Sequence, residues 1–309
     1  CCCGACETDS VHGNRYLAGL GFGLLAYLMW GFFPLYFRQL SHVSLMDVLS
    51  HRAAWACLFV GLLLTLRGQW GKVRAVFGTP RRLAMLALAA LLIASNWLAF
   101  LWAVAHQQVV ASSLGYFLTP LVNVLLGLVV LGERLNRLEW VSVGLALAAI
   151  GNEVVTLGAL PWVSLLLAGT FGCYGLVRKQ VPVDAISGLW LETLAMLPVC
   201  LLYALWQAHV GHAVFGGHDT VTFVWLVGAG ILTALPLMAF AAAARRLDLA
   251  TVGMLMYINP TVQFLTAIWV FDEPLQTARV VTFTLIWAGL FVFSVSAWRK
   301  VRNPLWSRG

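Results

Sequence analysis

Ten apolar runs, each about twenty residues long, follow one another along the 309-residue chain. They cover residues 16–37, 45–66, 83–104, 110–131, 138–157, 161–178, 187–206, 222–244, 250–271 and 279–298. A run of this length crosses the hydrocarbon core of a bilayer as a helix, since in lipid only helices and closed barrels satisfy the backbone. The connections are short, the longer ones being 67–82 and 207–221. Composition agrees. Hydrophobic residues make up 61% and charged residues 10%, with a mean hydropathy of +0.88, against about 25% charged residues in a soluble domain. So few charges argue against a soluble enzyme, a disordered protein or a nucleic-acid module. The expected fold is all-α, a polytopic membrane protein of ten transmembrane helices.

The net charge of +7 has a topological cause. Of the nineteen Lys and Arg residues, all but Arg38, Arg52 and Arg279 fall on one side when the first run starts in the cytoplasm. That asymmetry is the positive-inside signature and places both termini in the cytoplasm. Four of the seven cysteines, Cys1, Cys2, Cys3 and Cys6, crowd the first six positions. Residues 1–14 are expected to lie outside the fold as a non-native or disordered extension. Cys57, Cys173 and Cys200 sit in apolar runs and read as small core residues.

The chain repeats itself with an offset of 140 residues. Pro120 and Glu133 stand 13 apart, as do Pro260 and Glu273. Val122 matches Val262, Gly127 matches Ala267, and Leu135 matches Leu275; at offset 141, Gly31 and Leu35 match Gly172 and Leu176. The halves are 15–157 and 158–298, followed by a basic tail at 299–309. Five runs per half is an odd number, so the second half enters the membrane from the opposite side. Such inverted repeats are typical of secondary transporters, whose substrate site lies at the repeat interface.

Several strings go further: YLMWGFFPLYF (27–37), SHRAAW (50–55), SNWLAFLWAV (95–104), SLGYFLTPLVN (113–123), LGERL (131–135), YGLVRK (174–179), LETL (191–194) and TALPL (233–237). Together with the five-plus-five repeat and the P-x12-E motif they resemble the RarD family of EamA-type permeases, in the drug/metabolite transporter superfamily. The likeness runs from Tyr16 to Trp298. The family comprises chloramphenicol-sensitive proteins and permeases, so the resemblance implies a multi-pass transporter of the bacterial inner membrane. It carries over no established substrate and no catalytic residue.

Polar groups at membrane depth are the candidates for function. His51 and Arg52 in the second run and Glu192 in the seventh are candidates for gating or proton coupling, His51 and Glu192 being repeat counterparts. The competing reading is an ion pair or a snorkelling side chain. Tyr116, Thr119 and Asn123 share one face of the fourth run by helical spacing. Tyr257, Asn259 and Gln263 form the counterpart in the ninth. Tyr116, Asn123, Tyr257 and Gln263 are cavity-lining candidates, with Asn96, Trp97, Trp30 and Tyr174; interhelical hydrogen bonding or packing is the alternative for each. Pro120, Pro260 and Pro236, the last the counterpart of Asn96, are expected helix kinks. Trp102, Trp269 and Phe117 could join an aromatic wall, whereas Trp70, Trp140, Trp162, Trp206, Trp225 and Trp298 read as an interfacial belt. Glu153 reads as interfacial, and Arg178 and Lys179 as anchors.

His209, His212, His218 and Asp219 give only a weak metal-like spacing, and no metal or other cofactor is expected. No nucleotide or hydrolase motif is present. The reading is a secondary-active permease or exporter of small metabolites or amphipathic drugs, working by alternating access. An exchanger of anionic or phosphorylated metabolites using Arg52 and Arg178 is the second reading, and a polytopic membrane enzyme or scaffold the third. The expected partners are a small-molecule substrate and membrane lipid, with a coupled proton and a homodimeric partner as further candidates; nucleic acid is not expected.

Overall fold

The computed structural model describes residues 4–302 except 133–134, 159, 217–218, 245, 248–250 and 252–254, and leaves out the side chains of 4–15, 131, 157, 297–298 and 300–302. Glu133, Arg134, Arg245, His218, the Trp298 side chain and most of the basic tail therefore lie outside the described residues. The helices are α1 (Gly4–Gly31), α2 (Phe33–Arg38), α3 (Leu45–Leu66), α4 (Trp70–Phe77), α5 (Pro80–Ala105), α6 (Val109–Leu131), α7 (Arg137–Leu157), α8 (Trp162–Gln180), α9 (Ala185–His209), α10 (Thr220–Ala244), α11 (Ile258–Trp269) and α12 (Thr277–Arg302). No strand occurs among the described residues. Among the described residues eight spans are long and apolar enough to cross a membrane: α1 with α2, α3, α5, α6, α7, α9, α10 and α12. The sixth and ninth runs form α8, of 19 residues, and α11, of 12.

Helix ends are set locally. Pro80 starts α5, where a missing N–H costs nothing. Asn136 and Glu139 form a reciprocal capping box at α7. Asp184 caps α9, and Asp219 accepts from the N–H groups of Val221 and Thr222 at the start of α10. Those bonds hold the exposed Asp219 carboxyl below the usual carboxylate range, the Thr222 backbone N–H contributing most. Gly132 ends α6 at φ 66°, a left-handed cap. Its repeat counterpart Asp272 adopts φ 52°.

Three features differ from the sequence expectation. The first helix begins at Gly4 instead of near Tyr16. Residues 4–15 contain no proline, and extending a nucleated helix is cheap. The same span breaks at Phe32, between α1 and α2. Pro34 has no N–H to offer the Trp30 carbonyl four residues earlier. The connection 67–82 is not wholly irregular either. In α4 Val73 and Val76 share one buried face, packed with Leu86 and Leu189, while Lys72 and Arg74 stay exposed.

The packing repeats as the sequence does. α6 lies on α8 and its counterpart α11 on α1; α5 lies on α8 and α10 on α1; α3 lies on α10 and α9 on α5. The pairs α3–α9, α6–α11 and α7–α12 each join an element to its own counterpart. Every one of these contacts links the two halves, which interlock instead of standing side by side. Two glycines show the equivalence at atomic detail. A Cβ on Gly172 would stand 2.8 Å from Val122 Cγ1, and a Cβ on Gly31 would stand 2.8 Å from Val262 Cγ1. Both valines and both glycines are repeat counterparts, so the same close helix approach is built twice.

Candidate functional site

Polar side chains that the sequence scatters over six helices converge where the halves interlock. Arg52, on α3, is 3% exposed. Its Nε donates to Thr233 Oγ1 of α10 at 2.7 Å. The guanidinium carbon lies 3.9 Å from the centre of the Trp97 ring, 5.1 Å from Phe37 and 5.8 Å from Phe33. Aromatic faces hold a cation without neutralising it. Tyr116 of α6 lies within electrostatic reach of this guanidinium.

Asn96 continues the cluster towards α8. Its Nδ2 donates to the Leu167 carbonyl and to Thr170 Oγ1, both at 3.0 Å, while its Oδ1 accepts from the Tyr116 hydroxyl at 3.3 Å. Tyr116 stands edge-on to Phe171, and Phe171 packs against Tyr174. The Tyr174 hydroxyl donates to Glu192 Oε2 at 3.1 Å. Glu192, 1% exposed, also faces Arg178, with Nε 3.3 Å from Oε1. A path of side chains thus joins Arg52, which has no acid within ion-pair distance among the described residues, to the Arg178–Glu192 pair.

The other candidates lie elsewhere. His51 is fully buried. Its Nδ1 accepts from Trp55 Nε1 at 3.1 Å and its Nε2 lies 2.8 Å from the Val214 carbonyl, so the hydrogen-bond network assigns the neutral tautomer protonated at Nε2. Phe215 packs on the ring. Gln263 accepts from Ser112 Oγ at 3.0 Å and donates to Asn259 Oδ1 at 2.9 Å and to the Trp30 carbonyl at 3.4 Å. That carbonyl is the one Pro34 leaves without a helical donor, so Gln263 completes the break in the first span. Trp30 itself packs with Tyr27 and Phe240. Tyr257 occupies the N-cap position of α11 without a side-chain cap and packs beside the main core. Asn123 is exposed on α6, next to Gly172.

Pro120 and Pro236 lie inside α6 and α10, whereas Pro260 is the third residue of α11, where no intrahelical donor is needed. The proposed aromatic wall separates. Trp102 stacks on His106 and packs on Trp162, Phe117 meets Phe283 and Trp287, and Trp269 is exposed at the end of α11. A recess of about 200 Å³ lined by Leu114, Glu153, Trp162, Ser164 and Arg279 contains none of the site candidates.

Three polar residues escaped the sequence reading, and a fourth was read without its partner. Thr170 and Thr233 look like ordinary small residues of apolar runs. Asp47, 1% exposed, accepts from the Tyr203 hydroxyl at 2.7 Å and lies 3.0 Å from His212 Nε2; its only signal was an acid in the first turn of a span. Glu273 was visible in the P-x12-E motif but its partner was not. Its two oxygens accept from the backbone N–H groups of Val109 and Val110, at the start of α6.

The EamA-like transporter family matches residues 17–151. A Pseudomonas aeruginosa protein named as an uncharacterized transporter is 44% identical over 285 residues, covering 92% of this chain and 96% of that protein. Protein RarD of Escherichia coli is 39% identical over 279 residues, covering 90% and 94%. The chain belongs to the RarD family of EamA-like transporters. A solved structure described only as the crystal structure of a protein shares the fold, with a TM-score of 0.58 at 21% identity, over 92% of this chain and all of that one. Membership of the RarD family makes this a multi-pass membrane protein whose relatives are transporters. Within it, the Glu of the second P-x12-E motif has a structural task, capping a helix of the opposite half.

Proposed function

We propose that this chain is a secondary-active carrier for small metabolites or amphipathic drugs, working by alternating access in the bacterial inner membrane with both termini cytoplasmic. One observation carries the reading. Every principal helix contact has a counterpart when the halves are exchanged. Two arrangements of similar energy, one open to each side, follow naturally from such a fold. The cluster from Arg52 through Asn96 and Tyr116 to Glu192 lies where the halves interlock, the place a carrier needs its site. Glu192, with Tyr174 and Arg178, is the candidate for proton coupling. The charge asymmetry of the loops supports the orientation. Several relatives are named as transporters, which favours transport over catalysis.

The test is a ligand panel on purified protein in detergent at pH 6 and pH 8, with chloramphenicol, amino acids, nucleosides and sugar phosphates. A true ligand at about 100 times its Kd adds roughly 2.7 kcal/mol to folded-state stability. The carrier reading expects such a ligand and its loss in Tyr116→Ala. A ligand whose binding ignores Asn96, Tyr116 and Glu192 would remove the site from this place.

A further inference from the structure

Among the described residues no acid balances the positive charge of Arg52. It lies on a membrane-spanning helix and is 3% exposed. Among the described residues no carboxylate stands within ion-pair distance of it. Its Nε is used, but on the neutral hydroxyl of Thr233, which itself donates to the Ala229 carbonyl at 2.8 Å. Its Nη1 is buried and has no hydrogen-bond partner. Burying an ion without a counter-ion is costly, and inside a membrane such groups are retained for function. Arg178, at the end of α8, by contrast faces the carboxylate of Glu192.

We infer that Arg52 seats one negatively charged group, a carboxylate, on a substrate with a flat or aromatic body. This rests on the carrier reading above and adds the substrate's class. The carboxylate accepts from Nη1, the guanidinium nitrogen left without a hydrogen-bond partner. The apolar body lies against the rings that surround the cation, Trp97, Phe37 and Phe33. Tyr116, whose hydroxyl donates to Asn96 Oδ1 at 3.3 Å, supplies a hydroxyl beside it. The residues come from both halves, Arg52, Trp97 and Tyr116 from the first and Thr233 from the second. An anion held there therefore bears on the packing of α3 against α10. Charge count selects a monoanion. One uncompensated cation balances one negative charge, and a phosphate dianion would leave a net charge buried in the membrane, Arg178 being already engaged. The geometry thus favours a monocarboxylate over the phosphorylated substrates of the second sequence reading.

The experiment compares matched probes on the full chain in detergent by thermal unfolding: indole-3-acetate and 3-phenylpropionate, their neutral amides, and phenyl phosphate. The carboxylates should bind at least ten-fold more tightly than the amides and than phenyl phosphate at pH 8. Without ligand, R52Q should unfold at or above the wild-type temperature, because it removes an unbalanced charge, and it should lose the preference for carboxylate over amide. A structural Arg52 would give the reverse, a lower midpoint with the ligand response intact. Equal binding of carboxylate and amide by the wild type overturns the inference without recourse to any variant. Proteoliposome exchange separates this inference from the one beneath it. A neutral ligand that exchanges, with no preference for carboxylates, overturns the Arg52 assignment and leaves the carrier. Carboxylates that bind through Arg52 but never exchange keep the anion site and remove the carrier.

Discussion

Glu273 Oε1 accepts from the backbone N–H of Val109 at 2.6 Å, across 164 positions of sequence. Its second oxygen takes the N–H of Val110 at 2.9 Å, and the local N-cap residue Gln108 makes no side-chain cap. An acid from the second half therefore satisfies the exposed donors of a first-half helix, at the end where the helix dipole favours negative charge.

Glu273→Gln keeps one acceptor and turns an amide towards the other N–H, leaving a buried donor unpaired. The expected loss is about 1–3 kcal/mol, read as a lower unfolding midpoint. Burial is the dominant influence on this carboxyl and raises it above the usual range, opposed by the Val110 and Val109 N–H groups and by Arg279. With the folded pKa raised, the contribution is fully present below the unfolded value of about 4.3. It is lost as pH rises through the folded value. The gap between wild type and Glu273→Gln should thus narrow with rising pH. A gap that widens would contradict the dominance of burial over the two backbone N–H groups.

Asn96 and Tyr116 should behave as a coupled pair. Tyr116→Phe removes one hydrogen bond, worth about 0.6 kcal/mol inside a membrane. Asn96→Ala removes that bond together with those to Leu167 and Thr170, and should cost about 1–3 kcal/mol. A double-mutant cycle in mixed micelles should show the Tyr116 substitution costing less once Asn96 is gone. Strict additivity would break the path from Arg52 to Tyr174.

Glu192→Gln strands Arg178 beside a neutral amide. Breaking a buried pair in this way costs about 3–5 kcal/mol, whereas removing both charges costs far less. Glu192→Gln combined with Arg178→Met should recover most of the lost stability. That folded double variant then separates pairing from proton coupling. Transport that remains as pH-dependent as in the wild type would show that Glu192 does not carry the proton.

The contact of α3 with α10 depends on Gly230, where a Cβ would collide with Trp55 Cβ and stand 2.6 Å from the Ala56 backbone nitrogen. Gly230→Ala should cost about 1–3 kcal/mol through overpacking. Gly144, on α7, has open space in the same direction. Gly144→Ala should be neutral or stabilise by roughly 0.5–1 kcal/mol, since alanine is the better helix former. Unfolding midpoints of the two variants would give the order directly.

The sequence made the spans legible because twenty apolar residues leave the backbone few choices, and it made the repeat legible because Pro120 and Pro260 keep their spacing to Glu133 and Glu273. The break at Phe32 was readable in principle from Pro34, but an apolar run of full length hid it. α4 was missed because only Val73 and Val76 mark its buried face. Partners far apart in sequence were not legible at all. Nothing local tells that Asn96 reaches Thr170, that Glu273 caps Val109, or that Arg52 finds rings instead of an acid. Those facts come from how the two halves interlock, which pattern along a single chain does not encode.

The most direct test of the account is counterflow in proteoliposomes loaded with unlabelled ligand and exposed to a labelled trace of the same compound. A carrier whose single site faces the two sides in turn concentrates the label transiently, and the overshoot should disappear in Tyr116→Ala. Label that enters at the rate of empty liposomes, or that equilibrates without overshoot, would contradict alternating access through this fold.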